Sequence, residues 1–290
     1  MKFYYENHKG EIIDFSKPPY LFQKLNFFDW EYSYDNDGIK TSRFYKKPRE
    51  FKGELMVFSI NDLQNTSKET MWEQAINDLQ KILAVDVINN KNGKLHTDNG
   101  DYLSCKIIAS EKKEWNVLNN FVRNDLTILT DLPFWINEQK VIISPISEEL
   151  IGEGEEGIKT YPYTYPYRYP LLQTETLVDV EHYTDSDFKL IVYGPTTSVN
   201  IEINNHPYIV EYPLEKGEHM VIDSRKYVPK EERLYVVRTN GEKENIFNYR
   251  GVEHSVFQKI PYGQIKIDYP RTYGLELTIF KERSEPPWKS

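Results

Sequence analysis

Cysteine is almost absent. Cys105 is the single thiol in 290 residues, which excludes an intramolecular disulfide framework and a zinc site built from thiolates. No apolar run approaches the roughly 18 residues of a membrane span, so no membrane insertion is expected. The opening stretch MKFYYENHKGEII lacks the positive-then-apolar pattern of a secretion leader, and the sequon Asn65-Thr66-Ser67 is expected to stay unused. Positive charge is also short, with 36 Lys and Arg against 45 Asp and Glu and a net charge of −9. The two halves share it, with 19 basic and 23 acidic residues in 1–150 and 17 and 22 in 151–290. A protein that grips nucleic acid by its phosphates needs the opposite sign, concentrated in a patch, so no specific nucleic-acid binding is expected. What is abundant is tyrosine, at 22 residues against 14 Phe. The length, at about 150 residues per domain, points to two domains.

Along the chain the pattern is mainly β. Short apolar-rich runs at 2–5, 11–15 and 54–60 read as strands, the first two joined by His8-Lys9-Gly10. Residues 66–84 break the pattern: Trp72, Ala75, Ile76, Leu79, Ile82 and Leu83 recur at three- and four-residue steps and share one helical face. Thr66 with Glu69 has the form of a capping box at its start. Strands at 94–97 and 102–108 flank Asp98-Asn99-Gly100, a hairpin signal because Asn-Gly tolerates positive φ. A run at 125–130 leads to Leu132-Pro133-Phe134-Trp135, where proline is expected to end or bend the strand. Residues 148–157 are acidic and glycine-bearing. They precede YPYTYPYRYP, three of whose ten residues are proline, so an extended connector is expected. From 173 onward short strands recur without helix, at 188–193, 199–203, 207–210, 219–223, 234–238, 264–267 and 275–280, which reads as an antiparallel sandwich. The division is therefore 1–145, a β-domain with one helix; 146–172, the connector; and 173–290, the sandwich.

Few residues point to chemistry. Gly152, Gly154 and Gly157 satisfy G-x-G-x-x-G, but the spacers are Glu153, Glu155 and Glu156, and no helix pattern follows to face a pyrophosphate. The histidines at 8, 96, 182, 206, 219 and 254 show no ligand spacing. His182 near Asp185 and Asp187 reads as a solvated turn in preference to a metal site, and Cys105 as a small apolar filler in preference to a nucleophile. No catalytic residue, cofactor or metal is expected. Tyr161, Tyr163, Tyr165, Tyr167 and Tyr169 alternate with small or kinked residues. They form a strip of amphipathic rings fit either for an interface or for packing on the protein's own domains. Trp288, in the terminal EPPW, is a second interface candidate, a large ring expected to dock on a domain surface.

Several segments, in order, resemble the distal tail protein (Dit) family of long-tailed phages and prophages of Gram-positive bacteria. They are DLPFW at 131–135, YPYTYPYRY at 161–169, DFKLIVYGP at 187–195, INNHPYIVEYPLEKGEHMVIDSRKY at 203–227, NIFNYRGVEHSVFQKIPYG at 245–263 and ERSEPPW at 282–288. The resemblance implies a barrel-like N-terminal β-domain assembling as a homo-hexameric ring, and a galectin-like C-terminal β-sandwich. It implies a virion structural protein of the tail tip or baseplate, made in the host bacterial cytoplasm, and not an enzyme. Such a ring joins the tail tube protein to the tail-associated lysin or fibre hub, touches the tape measure and receptor-binding proteins, and lets DNA pass. The alternative is a carbohydrate-binding tail adhesin that recognises host cell-wall glycan.

Overall fold

The computed structural model describes residues 1–59, 72–114, 121–146 and 175–288. It contains two compact units, Met1–Asn137 with Glu282–Ser290, and Glu138–Lys281. The segment 147–174, with the Gly152/Gly154/Gly157 loop and the Tyr-Pro strip, lies outside the described residues, as do Asn65, Thr66 and Glu69.

The first unit contains β1 (Phe3–Glu6), β2 (Ile12–Asp14), β3 (Ser16–Lys17), β4 (Tyr20–Leu25), β5 (Ser33–Asn36), β6 (Thr41–Tyr45), β7 (Arg49–Phe58) and α1 (Trp72–Ile88). These are followed by β8 (Gly93–Thr97), β9 (Asp101–Glu114), β10 (Phe121–Thr130) and the first residues of β11 (Trp135–Ile143). Antiparallel pairs run β1–β8–β9–β10–β7–β4–β3. The chain from β2 into β3 closes this circuit. β2 pairs with β1, the Phe15 N–H donates to the Phe3 carbonyl, and the Phe22 N–H donates to the Phe15 carbonyl. The unit is thus barrel-like, and its strands need no free edge there.

Period-two alternation sends Val122, Leu126 and Ile128 of β10 inward. The helix lays Ala75, Leu79 and Leu83 on the same core, each four residues apart. It continues four residues past the expected end at 84 and stops where Asn90 takes φ 50°, a left-handed geometry that asparagine tolerates. The expected hairpin forms on Gly100 at φ 84°.

The second unit contains the rest of β11, then β12 (Glu175–Val180), β13 (Asp187–Tyr193), β14 (Val199–Ile203), β15 (His206–Val210), β16 (His219–Asp223), β17 (Leu234–Val237), β18 (Lys243–Asn245), β19 (Gly263–Asp268) and β20 (Gly274–Arg283). They form a sandwich of two sheets, ordered β18-β17-β16-β13-β20-β11 and β12-β19-β14-β15. Phe188, Leu190 and Val192 of β13 and Val199, Ile201 and Ile203 of β14 meet in one buried core. The β14–β15 turn holds Asn204 and Asn205 at φ 47° and 64°, the backbone of a tight primed turn.

A polar network ties two strands of this unit to a neighbouring loop. Arg238 donates to Glu218 (3.0 Å), to Glu244 and to Tyr212, and the Tyr212 hydroxyl donates to Glu244 (2.9 Å). Glu218 is held below the usual carboxylate range by the Glu215 N–H and then by Arg238, and Glu244 by Arg238 and then Tyr212. Carboxylates with lowered folded pKa values stabilise above their unfolded pKa of about 4.3 and lose that stabilisation as pH falls through the folded value. Chemical denaturation from neutral pH downward is therefore expected to show a flat plateau and then a fall in the acid range. Arg238→Met should lower the plateau and make the fall shallower. Equal pH slopes in parent and variant would contradict the assignment.

Candidate functional site

Buried titratable groups in the first unit are structural. The Asp86 carboxylate, fully buried on α1, accepts from the Tyr5 hydroxyl (2.5 Å), from the His8 N–H (2.9 Å) and from His8 Nδ1. Cys105 is fully buried and burial pushes its thiol up, so it is not a thiolate at neutral pH. His96 stacks on Tyr4 at 4.6 Å and bonds Glu6, His219 lies against Tyr193, and His206 donates to the Ser255 carbonyl with His254 beside it. His182 lies against Tyr183. Among the described residues no group of three His, Cys, Asp or Glu side chains is placed to hold a metal ion.

Surface features of the first unit are more distinctive. Its C-terminal segment packs on the stretch after β4. Trp288 stacks on Phe28 with centroids 4.2 Å apart, Asn99 donates to the Pro287 carbonyl, and Ser284 bonds the Tyr32 hydroxyl. One ring face of Trp288 is covered, yet the side chain stays 68% exposed.

The β5–β6 hairpin follows. Its two strands pair only with each other among the described residues. Tyr34 and Phe44 sit opposite in register with centroids 6.3 Å apart. They are 60% and 66% exposed, and Ile39 near the tip is 94% exposed. Exposed apolar side chains gathered on one element make it a candidate contact site. A groove of about 370 Å³ lies between α1 and β9, lined by Leu79, Leu83, Val87, Ile88, Ile107 and Ile108.

At the base of the hairpin a polar cleft of about 270 Å³ has Trp30 in its wall, with Asp29, Glu31 and Ser33 from one chain segment and Lys46, Lys47 and Arg49 from another. Lys46 donates to the Pro133 carbonyl (2.9 Å) and lies over the rings of Tyr32 and Phe134. Burial, and then the Arg49 charge, pushes its ammonium down to about 8.

Sequence reasoning singled out Trp288 but neither hairpin nor cleft. The readable signal was the alternation Trp30, Tyr32, Tyr34 ahead of Asp37-Gly38, followed by Phe44 and the cationic run Lys46-Lys47-Pro48-Arg49.

No family model matches the sequence, and no curated protein matches it. Solved structures do share the fold, among them a phage hub protein and a phage baseplate chain. The SPP1 Dit protein, described as a paradigm of the hub adsorption apparatus in phages infecting Gram-positive bacteria, matches with a TM-score of 0.57. Its identity is 11%, over 97% of this chain and 98% of that one. A chain of the phage P2 baseplate in its activated conformation with Ca matches at TM-score 0.58 and 13% identity, over 98% and 99% of the two chains. The corresponding Sr form gives 0.58, 12%, 98% and 99%. The chain thus has the Dit and baseplate-hub fold from end to end.

Proposed function

We propose that this chain is a tail-tip hub of a phage or prophage, a structural protein and not an enzyme. The observation that carries the reading is the end-to-end fold match to the SPP1 Dit hub, covering both units. In this reading residues 1–145 form the ring-bearing domain, 146–172 the connector and 173–290 a galectin-like sandwich, with 282–288 packed back on the first unit. Six copies form a ring that joins the tail tube to the lysin or fibre hub, contacts tape measure and receptor-binding proteins, and passes DNA.

A closed ring requires two different, complementary patches on each protomer. The apolar hairpin and the α1–β9 groove both belong to the first unit and supply two such surfaces of unlike shape. The net charge of −9 suits a conduit that DNA must cross without being held.

Negative-stain microscopy and native mass of the purified full-length protein test this. Six-fold rings are expected, and a double variant Tyr34→Ser, Phe44→Ser should shift them to monomers. A monomer that persists at high concentration, with tail tube protein present as well as absent, would overturn the reading.

A further inference from the structure

We propose that the tip of the β5–β6 hairpin seats in the α1–β9 groove of a second copy of this chain, with Ile39 entering the groove and Asp37 pairing with Lys112. The contact rests on the ring reading above and gives each of its two patches a partner, namely the other patch on the next copy.

The hairpin presents an aliphatic side chain with an anion beside it. Every residue from 34 to 44 is exposed, so the tip stands clear of its own unit and does not fill its own groove. At about 3.3 Å per residue, the strand Ser33–Asn36 carries the turn on the order of 10 Å from the hairpin's base. Asp37-Gly38 then fixes what is offered there. Gly38 takes φ 88°, and Asp37 Oδ1 accepts from the Ile39 N–H (3.1 Å) and the Lys40 N–H (2.9 Å). The Lys40 N–H and then the Ile39 N–H hold this carboxyl below the usual carboxylate range, so it stays charged at neutral pH.

The groove offers the reverse. Its walls are aliphatic, and Val87, Ile88 and Ile108 stay exposed in the single protomer. Lys112 is the one charged residue that lines it among the described residues, Gln80 and Ser110 being neutral. The ammonium donates to the Ser110 hydroxyl (2.9 Å) and carbonyl (3.3 Å), and that hydroxyl donates on to Asn124 Oδ1 (2.8 Å). Neighbouring Lys113 pairs with Glu111 and Asp125, whereas Lys112 has only these neutral acceptors among the described residues. Burial alone displaces the Lys112 ammonium below the usual lysine range, with no nearby charge contributing. An apolar groove with a cation thus matches an apolar tip with a fixed anion. The two patches are different, so each copy gives its hairpin to one neighbour and its groove to the other, the heterologous contact that a closed ring requires.

Cysteine cross-linking of the full-length protein, with and without tail tube protein, tests the contact. Ile39→Cys combined with Ala84→Cys, a groove-lining position, should give on mild oxidation a ladder of disulfide-linked oligomers that ends at six copies. Neither single variant should do so, and fully buried Cys105 stays out of the reaction. Ile39→Asp should raise the concentration needed for assembly by about tenfold or more, with the unfolding midpoint at the parent value. Lys112→Glu should also weaken assembly, and adding Asp37→Lys should restore it. Lys40→Glu, at the other charge of the tip, should stay within about fivefold of the parent. Six-fold rings that neither cross-link nor respond to Ile39→Asp would overturn this contact and leave the ring reading standing, whereas absence of rings would overturn both. A disulfide that closes within one chain, or no rescue of Lys112→Glu by Asp37→Lys, would also count against it.

Discussion

Replacing Gly93 by alanine is expected to destabilise the first unit by about 3 kcal/mol or more, which would make it one of the most damaging single-methyl additions in the protein. Gly93 opens β8 opposite Cys105 of β9. A Cβ at this position would meet the Tyr5 hydroxyl, the Asp86 carboxylate at 2.5 Å and the Glu6 carbonyl at 2.7 Å. None of these can give way cheaply. Tyr5 and Asp86 are both fully buried and bonded to each other, and Asp86 also accepts from the His8 backbone and ring. The Glu6 carbonyl is backbone of β1, which pairs with β8 at this point. Relief of the clash must therefore break a buried charged hydrogen bond or separate the β1–β8 pair. Overpacking alone costs about 1–3 kcal/mol, and a buried polar group left unpaired costs a similar amount again. The measurement is urea unfolding followed by the tryptophans of the first unit. A lower midpoint at unchanged slope is expected, and a change within about 0.5 kcal/mol of the parent, the range of a surface substitution, would refute the steric account.

Much of the β architecture was legible because most strands alternate cleanly. Residues 188–193 and 199–203 announced the facing strands of the second core, and the helix showed in the spacing of Ala75, Leu79 and Leu83. What escaped follows from mixed environments. The strand Trp135–Ile143 carries Asn137, Glu138, Gln139 and Lys140 in succession, so its inward residues are too sparse to show a period. Proline at 133 does stand where a strand ends, between Thr130 of β10 and Trp135 of β11, as a residue with no N–H to offer a ladder should. The hairpin Ser33–Asn36 with Thr41–Tyr45 is solvated on most of both faces, which leaves no buried side to read. The strand Arg49–Phe58 was recognised only in its apolar second half, since Glu50 and Lys52 alternate with Phe51 and Gly53 at its start. The Tyr5–Asp86–His8 cluster joins residues some 80 positions apart, and no local spacing encodes such a meeting. The interface residues divide in the same way. Trp288 could be singled out because a large ring in a polar, proline-bearing tail is conspicuous, whereas the cleft draws on two segments separated by the hairpin and becomes visible only when folded.

Truncation of Trp135 to alanine is expected to cost about 3–5 kcal/mol, the range for removing a fully buried large aromatic. Trp135 has no exposed surface and is the largest side chain of the first core. Its ring lies 6.3 Å from both Phe3 and Phe27, and its Nε1 donates to the Phe27 carbonyl at 3.4 Å. Phe27 in turn packs edge-on against Phe3, Phe22 and Phe51, so removing the indole opens a cavity beneath an aromatic cluster that joins β1, β4, β7 and β11. The same residue starts the strand by which the chain leaves the first unit, pairing with Leu103 of β9. Collapse of the ring cluster into the cavity should therefore loosen both the β9–β11 pairing and the Phe27–Phe28 stretch, where Phe28 carries Trp288. Hydrogen exchange should show faster opening of the amides at 101–103 and 135–137 in Trp135→Ala, together with a lowered unfolding midpoint. Trp135→Phe, which keeps most of the volume but loses the donor, should fall between parent and alanine. The half-exposed Trp30→Ala serves as the contrast, because it deletes a ring of the same size with much less buried area and should cost clearly less in stability. Equal destabilisation by Trp30→Ala and Trp135→Ala would mean that burial does not govern the effect, and this description of the first core would fail.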